Sequence, residues 1–153
     1  MKKINENFGK NVGKTAILPN IYVDEEGNMN MYACTSSLHG GNANLEEGDE
    51  KNEFRKLCIN YDRKQYLSLA YAAKAVWRAE QGKSTPPKPV SIAFTLIGAG
   101  IYENSSDIYL EIFKDVFDIL EDTNITVYCN TFTEKDKEIW DGIAGTAEIS
   151  SSS

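Results

Sequence analysis

Ile92-Ala93-Phe94-Thr95-Leu96-Ile97-Gly98-Ala99-Gly100-Ile101-Tyr102 is the stretch that decides how this chain is read. An apolar, partly β-branched run from Val90 to Ile97 does not alternate with polar residues, so it reads as a strand buried on both faces. It ends in a Gly-x-Gly turn carrying Ile101 and Tyr102, and a helix opens at about Ser106. Strand, glycine loop and helix N-terminus together form an anion cradle. Glycines let the backbone approach a phosphate, and the helix end presents free N–H groups and a positive dipole end. A lone Gly-x-Gly turn has little specificity, so the segments around it carry the argument.

Downstream of the turn, Asp107–Glu121 is periodic, with Ile108, Ile112, Phe113, Val116, Phe117 and Leu120 on one face. Ser106 is placed to cap it, and Asp107 suits its positive end. Ile125–Cys129 is a further buried strand, and Thr133–Ile143 a short helix capped by Thr133 and docked by Ile139, Trp140 and Ile143. Upstream, Asp62–Glu80 is the clearest helix, with Tyr66, Leu69, Ala70, Ala73, Val76 and Trp77 at 3.6 spacing. Gln81-Gly82 ends it, and Ser84–Pro89 is a stiff exit linker. Thr15–Leu18, Ile21–Val23 and Met29–Cys34 are extended, with a turn at Asp24–Asn28, and pair as a hairpin or lie in one sheet. Ser36–Asp49, with Gly40, Gly41 and Gly48, is a long loop, functional or simply an acidic connection.

Strand, strand, helix, strand, helix, strand, helix is the order of an α/β sheet with right-handed crossovers. Ligands in such sheets bind beyond the carboxyl ends of the strands. Three loops are expected at that edge: Ser36–Gly41, Gly98–Tyr102 and Asn130–Phe132.

Composition bounds what could bind there. At 153 residues the chain fits one domain with a sizeable core. Its formal charge of −7 argues against a large nucleic-acid footprint, because phosphate backbones demand a basic surface. A small phosphate site built from backbone amides remains compatible with that charge. Cys34, Cys58 and Cys129 lie far apart, with no CxxC pair, and His39 has no nearby cysteine partner, so no metal site is expected. These read as reduced thiols of a cytoplasmic protein. No apolar run reaches membrane-spanning length, and the N-terminus lacks a secretory apolar core, so no membrane partner is expected.

The segment IAFTLIGAGIY, then a helix, then ITVYCNTF resembles a macrodomain, the ADP-ribose-binding α/β module. Gly13–Pro19, Tyr32–Ser37 and Gly40-Gly41 are similar to its ADP-ribose 1″-phosphate phosphatase branch. The resemblance covers residues 13–143. It implies a three-layer α/β/α sandwich with a mixed, mostly parallel sheet. It divides the chain into a flexible N-terminus (1–12), a macrodomain-like domain (13–145) and a polar tail (146–153). By resemblance, the backbone of Gly98, Ala99, Gly100, Ile101 and Tyr102 wraps a diphosphate, with Tyr102 near the distal ribose. Phe132 lies against adenine or its ribose, Asn130 adds a polar contact, and Ser36 and Ser37 face the pocket. Base–aromatic stacking of this kind is worth roughly 1–3 kcal/mol. The alternative for Phe132 is a strand-end core residue, and for Tyr102 a surface loop aromatic.

The family's Gly-Asp strand and Asn-Ala-Ala-Asn segment have no counterpart ahead of Gly13, which implies an N-terminally abbreviated sheet. Asp24 and the Gly40-Gly41-Asn42 loop are the available substitutes. Three functions follow. The first is binding of ADP-ribose or a related nucleotide, with no cofactor required. The second is hydrolysis of ADP-ribose 1″-phosphate or ADP-ribosyl adducts, with His39 and Asn42 as the catalytic candidates. His39 suits a general base by its pKa, although a solvated loop side chain is the simpler account of it. The third is a degenerate, ligand-free interaction subunit whose open sheet edge a second copy or a partner chain covers.

Overall fold

The computed structural model describes residues 18–23, 25–26, 29–34, 37, 49–99 and 106–151. It is an α/β protein. Strands β1 (Leu18–Val23) and β2 (Met29–Cys34) precede helix α1 (Asp49–Gln81). Strand β3 (Ser91–Phe94), helix α2 (Ser106–Leu120), strand β4 (Thr126–Cys129) and helix α3 (Glu134–Ser151) follow.

The expected single sheet is resolved into two pairs. β1 and β2 form an antiparallel hairpin, in register from Leu18↔Cys34 to Val23↔Met29. β3 and β4 form a separate parallel pair, in register from Ser91↔Thr126 to Phe94↔Cys129. Backbone bonds from Thr126 N to Val90 O (3.1 Å) and from Asn130 N to Phe94 O (2.8 Å) close the parallel ladder at its two ends. The Ser36–Gly41 loop therefore follows a strand of the other sheet. Of that loop, only Ser37 is among the described residues.

β3 is also shorter than the apolar run that predicts it. The carbonyl of Thr95 accepts a bond from the Tyr66 hydroxyl at 2.6 Å, and the amide of Ile97 donates to that hydroxyl at 2.8 Å. Backbone groups taken by a side chain cannot extend a ladder.

α1 begins at Asp49, a full thirteen residues ahead of the expected start at Asp62. The apolar stripe continues upstream through Phe54, Cys58 and Ile59, beneath a strongly charged surface that masks it in sequence. The pairing of α1 with α2 also extends through this segment. Arg55 bonds Asp107, Arg63 pairs with Glu111 and Asp115, and Lys74 donates to the Ile119 carbonyl. Partners rise together in number along both helices, so α1 and α2 run parallel. α3 likewise continues as helix past Ile143 to Ser151, through most of the span expected to be a tail. Residues 1–12 lie outside the described residues.

The core sits where α1, α2, α3 and β3 meet. Phe113 is fully buried, with ring centroids 4.8 Å from Tyr66, 5.3 Å from Phe94 and 4.7 Å from Trp140. Edge-on and tilted arrangements of this kind suit the ring quadrupoles. Ile108, Ile112, Val116 and Leu120 of α2 and Ile139, Trp140 and Ile143 of α3 are buried as their spacing predicts. Ile92, Phe94 and Val127 join this core from the sheet. Ser91, Ala93, Thr126 and Tyr128, the alternate positions, are exposed. Among the described residues, helices thus cover one face of the parallel pair.

Candidate functional site

The candidate site is the end of the sheet where both parallel strands finish. A β-turn follows β3: the amide of Ala99 donates to the carbonyl of Leu96 at 3.3 Å, spanning Leu96-Ile97-Gly98-Ala99. Its third residue is Gly98, at φ 90°. A positive φ at that position is what a type II turn requires, and glycine adopts it without a Cβ clash. The Ala99 amide is engaged within the turn. The Gly98 amide has no acceptor among the described residues. Ala99 is buried at the base of the turn, while Gly98 is partly exposed.

Two tyrosines hold this turn from below. Tyr66 of α1 bridges Thr95 and Ile97 through its hydroxyl, and Tyr109 of α2 donates its hydroxyl to the Ile97 carbonyl at 2.8 Å. Both rings are almost wholly buried. Burial, the larger effect, pushes the Tyr66 phenol well above its usual range, so its hydroxyl acts as a neutral hydrogen-bonding group. The backbone that carries Gly98 is thus fixed by two helices at once. The N-terminal end of α2 lies beyond the same turn. Its first-turn carboxylate, Asp107, is met by Arg55 Nε and Nη2 at 2.9 and 2.6 Å, which offsets the negative charge at the helix start.

The second loop at this edge follows β4. Asn130 donates its amide to Phe94 and accepts the Trp140 indole N–H on its carbonyl at 3.1 Å. Phe132 and Thr133 both donate their amides to Asp136 Oδ2 at 3.0 Å, and Asp136 N donates to Thr133 Oγ1 at 3.2 Å. This reciprocal capping box starts α3 at Thr133, as the sequence predicts, and fixes the loop backbone. The Asn130 side chain is exposed, and the Phe132 ring is 79% exposed. A pinned backbone carrying a free aromatic ring suits a stacking platform.

From the third loop, Ser37 is bonded to α1. Ser37 donates its hydroxyl to Asp62 Oδ2 at 2.6 Å, and Gln65 Nε2 lies 3.4 Å from Asp62 Oδ1. Asp62 is one helical turn from Tyr66, so successive turns of α1 bond Ser37 and the Gly98 turn. Asp62 is completely buried. Burial raises its carboxyl from 3.8 to about 7, opposed by the Ser37 bond. Cys58, one turn before it, is 1% exposed, and burial together with the Asp62 charge pushes its thiol up to about 12. Such a buried thiol is a poor nucleophile in the folded protein.

Of the residues predicted for the site, Gly98, Ala99, Asn130 and Phe132 lie at the one edge, and Ser37 is bonded to α1. Ser36, His39, Asn42, Gly100, Ile101 and Tyr102 lie outside the described residues. Sequence reasoning missed Asp62, Tyr66 as a turn anchor, and Tyr109. The available signal was Asp62 itself: a carboxylate at i+4 from Cys58 and i−4 from Tyr66, in the middle of an apolar stripe. Among the described residues there is no group of three or more His, Cys, Asp or Glu side chains placed to hold a metal, and no helix long and apolar enough to cross a membrane. A cavity of about 340 Å³ lined by Tyr71, Lys74, Ala75, Arg78, Asp118 and Ile119 lies at the other end of α2, away from this chemistry.

Comparison with protein-family models, with curated proteins and with solved structures finds no match to this chain.

Proposed function

We propose that this chain binds ADP-ribose or a related ADP-ribosyl nucleotide at the carboxyl edge of β3 and β4. The observation that carries the proposal is the Gly98 turn. It combines a positive φ, an amide without an acceptor among the described residues, a helix start next in the chain, and a backbone held by Tyr66 and Tyr109. A preorganised N–H beside a helix N-terminus favours a phosphate oxygen without any basic side chain. In this reading Gly100–Tyr102 complete the diphosphate contact, Phe132 stacks on the base or its ribose, and Asn130 gives the polar contact. The macrodomain resemblance and its three-layer sandwich with a mixed, mostly parallel sheet belong to the same proposal, as does a cytoplasmic location. Turnover of ADP-ribose 1″-phosphate or of ADP-ribosyl adducts would fall to His39 and Asn42.

Calorimetric titration with ADP-ribose, with AMP as control, tests it. Binding of ADP-ribose alone by the wild type, lost in Gly98→Val, supports the reading. Unchanged affinity in Gly98→Val, or no heat from folded wild type, overturns it.

A second reading, a ligand-free interaction subunit, is favoured by a different observation. Parallel sheets are ordinarily covered on both faces, yet Ser91, Ala93, Thr126 and the 56% exposed Tyr128 leave one face of this pair open. A second copy or a partner chain covering that face would make the chain sediment above its 17.1 kDa mass, and Tyr128→Lys would restore the monomer. A wild-type monomer at all concentrations would rule out self-association.

A further inference from the structure

We propose that the cavity between the C-terminal ends of α1 and α2 binds a free α-amino acid with an aromatic side chain, its carboxylate toward Arg78 and its ammonium toward Asp118. The inference rests on no part of the nucleotide reading, because this cavity lies at the other end of α2 from the Gly98 turn. Its volume is about 340 Å³, at the small end of the range for ligand sites. α1 lines it with Tyr71, Lys74, Ala75 and Arg78, which stand at i, i+3, i+4 and i+7 and so form one stripe. α2 lines it with Asp118 and Ile119 of its last turn.

Charges of both signs meet at this cavity, and only some of them are answered. Lys74, whose side chain is largely buried, donates to the Ile119 carbonyl at 2.6 Å and lies 3.8 Å from Asp122. It thereby meets the negative end of the α2 dipole, where α2 has no basic residue of its own. Arg78 and Asp118 line the same cavity from different helices, yet no ion pair joins them. Among the described residues, neither side chain has a polar partner. A singly charged ligand would suit one of them and sit against the other. A ligand with adjacent opposite charges answers both. Adjacent ammonium and carboxylate mark a free α-amino acid, whereas a peptide carries them at opposite ends. The negative end of α2 favours the ammonium on the Asp118 side. Ala75, Ile119 and the 61% exposed ring of Tyr71 leave apolar surface for the ligand's side chain. An aromatic ring suits Tyr71 best, by offset or edge-on stacking.

Titration of the ¹⁵N-labelled full chain with L-phenylalanine, 3-phenylpropionate and phenethylamine tests it. The second compound lacks the ammonium and the third lacks the carboxylate. Phenylalanine is expected to give saturating amide shifts centred on Tyr71–Arg78 and Asp118–Asp122. Each analogue is expected to bind at least about tenfold more weakly, the scale of one lost hydrogen-bonded charge. In Arg78→Gln, phenylalanine is expected to fall to the affinity of phenethylamine for the wild type. In Asp118→Asn, it is expected to fall to that of 3-phenylpropionate. Both residues are exposed, so neither substitution disturbs the core. Four results would each overturn the proposal: no saturating shifts from phenylalanine, shifts centred elsewhere, an analogue that binds as tightly as phenylalanine, or wild-type affinity in either variant.

Discussion

Two consecutive turns of α1 meet the same problem, a polar group brought into the core, and answer it differently. At Tyr66 the group is neutral, and it is used twice: the hydroxyl accepts from Ile97 and donates to Thr95. At Asp62 the group can ionise, and among the described residues it has a hydroxyl and an amide for company but no cation. The first arrangement fixes a loop at any ordinary pH. The second is fully comfortable only when protonated. The difference shows that buried polarity is not one kind of interaction. Whether it clamps or switches depends on whether the group can change charge in place.

The largest change expected is at the ring that backs the Tyr66 turn. Phe113→Ala removes contacts to Tyr66, Phe94 and Trp140 together, and should cost about 3–5 kcal/mol in urea unfolding. It would loosen the neutral clamp and leave the Asp62 pairing with Ser37 in place.

Asp62→Asn sharpens the contrast most. The folded carboxyl titrates at about 7 against 3.8 when unfolded. Its stabilising effect is therefore whole below about pH 3.8, falls as pH rises through about 7, and stays lost above. The asparagine variant should be more stable than wild type by roughly 2–4 kcal/mol at pH 8, with the gain vanishing toward pH 4. Thermal unfolding across that range measures it. An equal gain at both ends would show that the carboxyl's charge is not the cause.

Tyr66→Phe breaks the other half. It leaves the Ile97 amide and the Thr95 carbonyl without their partner, at a cost of about 1–3 kcal/mol. Unlike the effect at Asp62, this loss should not vary between pH 5 and 8. The smallest expected effect lies at the second loop. Asp136→Ala removes the acceptor for the Phe132 and Thr133 amides and should cost about 1 kcal/mol in the same unfolding measurement.

The parts legible in sequence are those set by local spacing. The inward faces of α2 and α3 follow from a 3.6-residue period, and Thr133 announces its cap by position. The parts hidden from sequence depend on partners far along the chain. β3 stops at Phe94 because Tyr66, about thirty residues away, takes the next backbone groups. The early start of α1 was hidden because Asp49–Tyr61 is dominated by charge, although Phe54 and Cys58 continue the stripe. The division into two sheets depends on pairing register, which alternation alone does not specify. At the candidate site, Gly98 was readable as a turn glycine. Tyr109 looked like one more residue of an amphipathic helix, and nothing local marks its hydroxyl as the anchor of Ile97.

The most direct test of the nucleotide reading is amide by amide. In a ¹⁵N-labelled sample titrated with ADP-ribose, the account predicts the largest shifts at Ile97, Gly98 and Ala99, with smaller ones at Asn130–Phe132. Shifts confined to other surfaces, or none in a folded protein, would contradict it.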